Sequence, residues 1–197
     1  MTNEGVTQTP DPYLIAQVRE AFGRVVYSQK TQEKQADISF GKHRWQQGTL
    51  IALTAISSGT FLASVLGVLI DPQLASFTTS FIALLVTAVS LGTKTFKFAD
   101  EAEAHRDVAS QLWNVRESYL SLISDLMSGV ISDSDARVLR EELQEASRAA
   151  YAAAPRTGRI AFSKAQKSLK ENEEMTFMPH EIDLFLPAAL RLNESEA

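Results

Sequence analysis

Two long stretches without a charged residue dominate the alternation of polar and apolar positions along this chain. Nothing from Trp45 to Ile70 is charged, and after Asp71 nothing is charged again from Pro72 to Thr93. A helix needs about 20 apolar residues to cross a bilayer core, and both stretches are that long. They predict a transmembrane helical hairpin over residues 45–98, with spans at about 47–70 and 74–94. Asp71, Pro72 and Gln73 supply turn chemistry between the spans. The competing reading is a buried hairpin in a soluble bundle. Core helices seldom run so long without a charge, and two in succession are rarer.

The flanking segments read as helices too, so the expected fold is all-α. Residues 1–12 are polar, contain Pro10 and Pro12, and predict a disordered tail. Across 13–44, Tyr13, Leu14, Val18, Phe22, Val25 and Val26 recur at helical spacing. Gly41 is expected to interrupt this cytoplasmic helix just before the membrane. The region 99–197 reads as a second cytoplasmic helical region. Its first helix is expected to continue from the second span without a break to about residue 128, where Gly129 ends it. Within it His105, Ala109, Leu112, Arg116, Tyr119, Ile123, Leu126 and Val130 follow steps of four and three. That is a heptad seam with two polar positions, His105 and Arg116. It serves either assembly between copies or burial within one.

Asp133 is the expected N-cap of the next helix, which should bury Ala136, Leu139, Leu143, Ala146 and Ala150. A further helix over about 159–173 carries Phe162, Ala165 and Leu169, and Pro179 starts a short last one. There Ile182, Phe185, Leu186 and Leu190 form an apolar face, and Pro187 should break it.

Charge placement gives an orientation. Lys30, Lys34, Lys42 and Arg44 precede the first span, and Lys94, Lys97 and Arg106 follow the second. The intervening turn carries only Asp71, so both termini should face the cytoplasm and the chain should be multi-pass in an inner membrane. Trp45, Phe96 and Phe98 suit interfacial anchors.

The spans have patterns of their own. Gly48, Ala52, Ala55, Gly59, Ala63 and Gly67 lie on one side of the first, a spacing that lets membrane helices approach closely. Ser76, Ser80, Ala83, Thr87, Ser90 and Lys94 form a small, hydroxylic seam on the second. This seam either packs against another helix or, in several copies, lines a polar path. Two helices cannot enclose a pore, so a channel requires a homo-oligomer, naturally one with cyclic symmetry about the membrane normal.

Composition removes several functions. The chain has 197 residues, no cysteine, a net charge of −5 and a mean hydropathy of −0.08. Thiolate metal sites, disulfides and cysteine nucleophiles are excluded, and the acidity argues against a nucleic-acid binder. His43, His105 and His180 are scattered, and neither a P-loop, a G-x-S-x-G elbow nor an H-E-x-x-H motif occurs. The sequence therefore predicts no enzyme, no metal and no cofactor. Arg148, Arg156, Arg159, Lys164, Lys167 and Lys170 form one basic cluster. It is either a solvated face or a place for a phosphate-bearing signal or lipid headgroups.

Three blocks carry a resemblance: HRDVASQLWNVRESYLSLISDL at 105–126, YAAAPRTGRIAFSKAQ at 151–166 and EIDLFLPAALRL at 181–192. In this order, after the hairpin, they resemble the SLATT family, bacterial two-transmembrane effector domains associated with SMODS nucleotide synthases and SLOG sensors. The resemblance implies an abortive-infection effector against phage that opens a membrane pore when a partner signals. It brings no catalytic residues. It also implies that a separate nucleotide-signal synthase or sensor protein supplies the activation. A membrane-anchored scaffold or signal-binding module without conductance fits the same features.

Overall fold

The computed structural model describes residues 11–59, 72–187 and 191, and all regular elements among them are helices. Residues 1–10 of the expected 1–12 tail, Ala63, Gly67, Asp71 of the turn, and Leu190 lie outside the described residues, while Asp11 and Pro12 belong to the start of the first helix. Six helices are described: α1 (Pro12–Ser57), α2 (Pro72–Thr95), α3 (Phe98–Ser128), α4 (Asp133–Ala153), α5 (Arg159–Lys170) and α6 (Pro179–Phe185).

The spine of the fold is α1, which is 46 residues long and runs from the buried core into the apolar stretch. Asp11 caps it by accepting from the Tyr13 amide at 2.9 Å, and Pro12 takes the first turn, where no amide proton is needed. The expected interruption at Gly41 is absent. A helix interior tolerates glycine at a modest cost, and here no side chain or turn residue enforces a stop.

The long helix α3 lies along the N-terminal part of α1, α4 rests on α3, α5 rests on α1, and α2 lies against the C-terminal part of α1. The core sits between α1 and α3. Leu14, Val18, Ala21 and Val25 meet Val108, Leu112, Val115, Tyr119, Leu122 and Leu126, with Ala136 and Ala150 closing it from α4. The heptad seam is therefore consumed within one chain: His105, Ala109, Leu112, Tyr119 and Leu126 are all buried. Val130 falls beyond the helix end and is exposed, and so is Tyr13.

Three further expectations are corrected. The helix following the apolar stretch is not continuous. The hydrogen bond from the Phe96 amide to Gly92 (2.8 Å) closes α2, and the one from Glu101 to Lys97 (3.0 Å) opens α3. At this break the Phe96 and Phe98 rings stack with centroids 5.7 Å apart, and the Lys42 ammonium lies 5.4 Å from the Phe98 centroid. Ser132, not Asp133, is the N-cap of α4, accepting from the Asp135 amide at 3.2 Å. The Asp133 carboxylate instead accepts from the Asp11 amide at 3.2 Å, so the starts of α1 and α4 are tied together. Leu139 and Ala146 of α4 and Phe162 of α5 are exposed, because each helix touches the α1–α3 pair along a narrow line of small residues. The apolar face of α6 is likewise uncovered at Ile182 and Phe185.

Gly129 ends α3 as expected, in the left-handed region at φ 70°, with Val130 donating to Asp125 at 3.1 Å. The last described helix stops at Phe185, two residues before Pro187.

Among the described residues, one helical stretch, beginning at Ser76, is long and apolar enough to cross a membrane, and none of its apolar window is buried within the chain. Phe77, for example, is 80% exposed.

Candidate functional site

The two membrane-side patterns fall on outward faces of their helices. In α2, Ser76, Ser80, Ala83, Thr87 and Lys94 are exposed and Ser90 is half-buried. The side of α2 turned toward α1 carries Ile82, Leu85, Val86, Val89 and Gly92 instead. In α1, Gly48, Ala52, Ala55 and Gly59 are exposed, while Gln46, Leu50, Leu53 and Ser57 are half-buried. Within the described residues, Ser90 is the one member of the two patterns that is half-buried; the others are left outside the packing of α1 against α2.

The hydroxyls of this region satisfy themselves. Ser80 Oγ donates to the Ser76 carbonyl and Thr87 Oγ1 to the Ala83 carbonyl, both at 2.9 Å. On α1, Thr49 and Thr54 bond back in the same way. A hydroxyl bonded to its own helix faces lipid at small cost, yet it keeps lone pairs to offer another group.

Between the membrane end and the apolar core lies a layer that the sequence pattern does not announce. On α1, Gln29, Gln32, Gln35 and Ser39 are buried, four polar side chains on one helix face. Each glutamine meets a partner, and Ser39 Oγ accepts from Gln35 Nε2 at 3.5 Å. Gln29 Oε1 accepts from Arg116 at 3.2 Å, Gln32 Oε1 meets His105 Nδ1 at 2.5 Å, and Gln35 Oε1 accepts from the Gly158 amide at 3.0 Å. A Cβ at residue 158 would stand 3.5 Å from that same oxygen, an ordinary contact, so the bond does not depend on the glycine. The two polar positions of the heptad seam are thus the partners of buried glutamines.

Burial pushes the His105 imidazole below its ordinary value, and the Glu101 carboxylate, 3.9 Å from Nε2, works in the other direction. The oxygen of Gln32 accepts, so Nδ1 carries the proton, and Nε2 has no hydrogen-bond partner.

A second electrostatic feature ties the segment after α5 to α1. Glu174 bridges Lys30 at 2.9 Å and Lys34 at 3.1 Å and accepts from Ser168 Oγ at 2.8 Å. The Lys30 bond first, then Ser168 and Lys34, hold its carboxyl at about 2. For Lys30 itself, burial acts to lower the ammonium's pKa, but the bonds to Glu174 and Glu33 prevail and raise it.

The six basic residues of the predicted cluster are not alike. Arg148 is paired with Glu145 at 2.7 Å. Arg156, Arg159, Lys164, Lys167 and Lys170 make no ion pair among the described residues, and all are exposed. Lys164 and Lys167 face away from the buried Ala161, Ala165 and Ser168 of α5.

Among the described residues, no three carboxylate or histidine side chains gather as metal ligands. The sequence model of the SMODS and SLOG-associating 2TM effector domain family 4 matches residues 14–181. No curated protein and no solved structure matches the chain.

Proposed function

We propose a function from one premise: the chain belongs to the SMODS and SLOG-associating 2TM effector domain family 4. It is the membrane effector of a bacterial anti-phage system of the abortive-infection kind. Two spans cross the inner membrane with both termini in the cytoplasm. Copies assemble through the small-residue face of α1, and the hydroxylic seam of α2 lines a path for ions when a separate synthase or sensor signals.

The observation that supports this reading is the outward placement of both patterns. Small residues at four-residue spacing favour close contact between membrane helices, and here they are left exposed in the single chain. The heptad seam, buried between α1 and α3, is not available for assembly. That leaves the membrane faces as the natural surface between copies. Any signal acts only through a difference in affinity between closed and open assemblies, and a shift from 1:99 to 99:1 requires about 5.5 kcal/mol.

The test is the membrane potential of a bacterial host after induced expression, followed with a potential-sensitive dye. At high expression the minor open fraction present without the signal is expected to depolarise the cell within minutes. A membrane-inserted chain that leaves the potential intact at every expression level would overturn the ion path.

A further inference from the structure

We infer that a groove on α1, between α4 and α5, binds a small molecule that joins a flat aromatic ring to an anionic group such as a phosphate. Its floor is the face of α1 at Gly23, Tyr27 and Ser28; Tyr151 of α4 forms one wall, and Phe162, Gln166 and Lys170 of α5 form the other. The cavity measures about 680 Å³ and leads into a recess of about 180 Å³ that ends at Thr31 and Thr157. That size suits a small ligand.

Three observations select the chemistry. The first is the rings. Phe162 and Tyr151 are 52% and 44% exposed at the groove. Large aromatic side chains at an otherwise wet site offer faces on which another ring can stack. Tyr27 and Phe162 are tilted by 30° with centroids 6.4 Å apart. A flat ring sandwiched between two others needs about 7 Å, twice a carbon contact, so a small outward movement of Phe162 admits one.

The second is hydrogen bonding. The Tyr151 hydroxyl is bonded to Ser28 Oγ, which fixes that wall against α1. Tyr151, Ser28 and the Gln166 amide give both donors and acceptors to the edge of a heterocycle.

The third is charge. At the lip Arg24 is paired with Glu20, so those two cancel. Lys170 is left as the uncompensated charge of the lining and makes no ion pair among the described residues. A chain of net charge −5 thus carries an aromatic groove whose own lining is positive, the reverse of its average. Phospholipid headgroups carry the anion but no flat ring, so the groove fits a soluble ligand. This deepens the function proposed above, since it rests on that reading for the idea that the cytoplasmic helices receive a signal.

The experiment is saturation-transfer NMR on the full chain in detergent micelles. The probes are the four ribonucleoside 5′-monophosphates, their nucleosides and inorganic phosphate. At least one monophosphate is expected to show transfer to its base protons, with its nucleoside and phosphate each binding about tenfold more weakly. Phe162→Ala and Lys170→Ala should each weaken that binding about tenfold with helicity unchanged, a loss of the size that one stacking contact supports. Three results would overturn the inference: no transfer from any monophosphate at millimolar concentration, undiminished binding in Phe162→Ala, or phosphate competing as well as the nucleotide. Binding here needs no conduction and the dye measurement needs no ligand, so either reading can fail alone.

Discussion

His105 of α3 and Gln32 of α1 face each other across the most polar layer of the interior, with Nδ1 and Oε1 2.5 Å apart and the imidazole wholly buried. The pair binds the two longest helices where apolar packing gives way to amides. Replacing His105 with alanine orphans the Gln32 oxygen and is expected to cost about 1–3 kcal/mol in thermal unfolding. The pair also sets a pH dependence. Burial depresses the folded-state pKa below the ordinary 6.5, so the unfolded chain takes the proton first. Stability is complete above about pH 6.5 and falls as the pH drops below it. In His105→Gln the slope of melting temperature against pH between 7 and 5.5 should flatten. A slope equal to the wild type's would remove His105 as its cause.

Glu174 titrates in a separate window. Its carboxyl is depressed from 4.5 to about 2, chiefly by Lys30, so the clamp holds above pH 4.5 and is lost as the pH falls toward 2. Glu174→Gln should reproduce that loss at neutral pH. Hydrogen exchange of residues 171–176 is expected to accelerate while the α1–α3 core keeps its protection. Unchanged exchange in that segment would show that something else fastens it.

The continuity of α1 predicts a gain. Gly41 lies in the helix with nothing within 4 Å of the position where a Cβ would sit. Gly41→Ala should therefore stabilise by about 0.5–1 kcal/mol. A hinge at this residue would make the same change neutral or harmful, and calorimetry separates the two.

Capping assigns different tasks to two neighbours. Ser132→Ala removes the side-chain acceptor at the start of α4 and should cost about 1 kcal/mol. Asp133→Ala instead frees the Asp11 amide and should loosen the N-terminus of α1, seen as faster exchange near Leu14. Equal effects of the two variants on α4 would contradict this division.

The hydroxylic seam is tested where it is most exposed. Ser80→Leu combined with Thr87→Leu should abolish depolarisation while leaving membrane insertion intact, because both hydroxyls serve only their own helix in the single chain. Ion leakage at the wild-type rate would sink the assignment of this face to a conducting path.

Much of the helical plan was legible in the sequence. The spacing of Leu14, Val18 and Val25 marks the buried stripe of α1, and the four-three steps from His105 to Leu126 mark the seam that meets it. Gly129 and Pro179 delimit helices by mechanisms written into their own backbones. Less visible was the layer of Gln29, Gln32, Gln35 and Ser39. Glutamines at helical spacing read as a solvated face, and only the partners from α3 and residue 158 reveal them as interior. The break at Phe96–Lys97 has neither glycine nor proline to announce it; it depends on contacts between Lys42, Phe96 and Phe98, which sequence spacing does not encode. Of the candidate site, the seams could be read from residue size and spacing. The groove could not, because Tyr27, Tyr151 and Phe162 come together only when α4 and α5 settle on α1.

One unbroken α1 beside an interrupted α2–α3 makes the two connections from the core to the apolar helices mechanically unequal. Along α1, Tyr27 and Thr54 belong to a single hydrogen-bonded rod, about 40 Å apart at 1.5 Å per residue. No break in that ladder stands between the groove and the small residues to absorb a twist. Along the other path the ladder is cut between Thr95 and Phe98. A rotation of α2 would therefore meet no continuous backbone ladder linking it to α3, whereas one of α1 would be carried through an unbroken one.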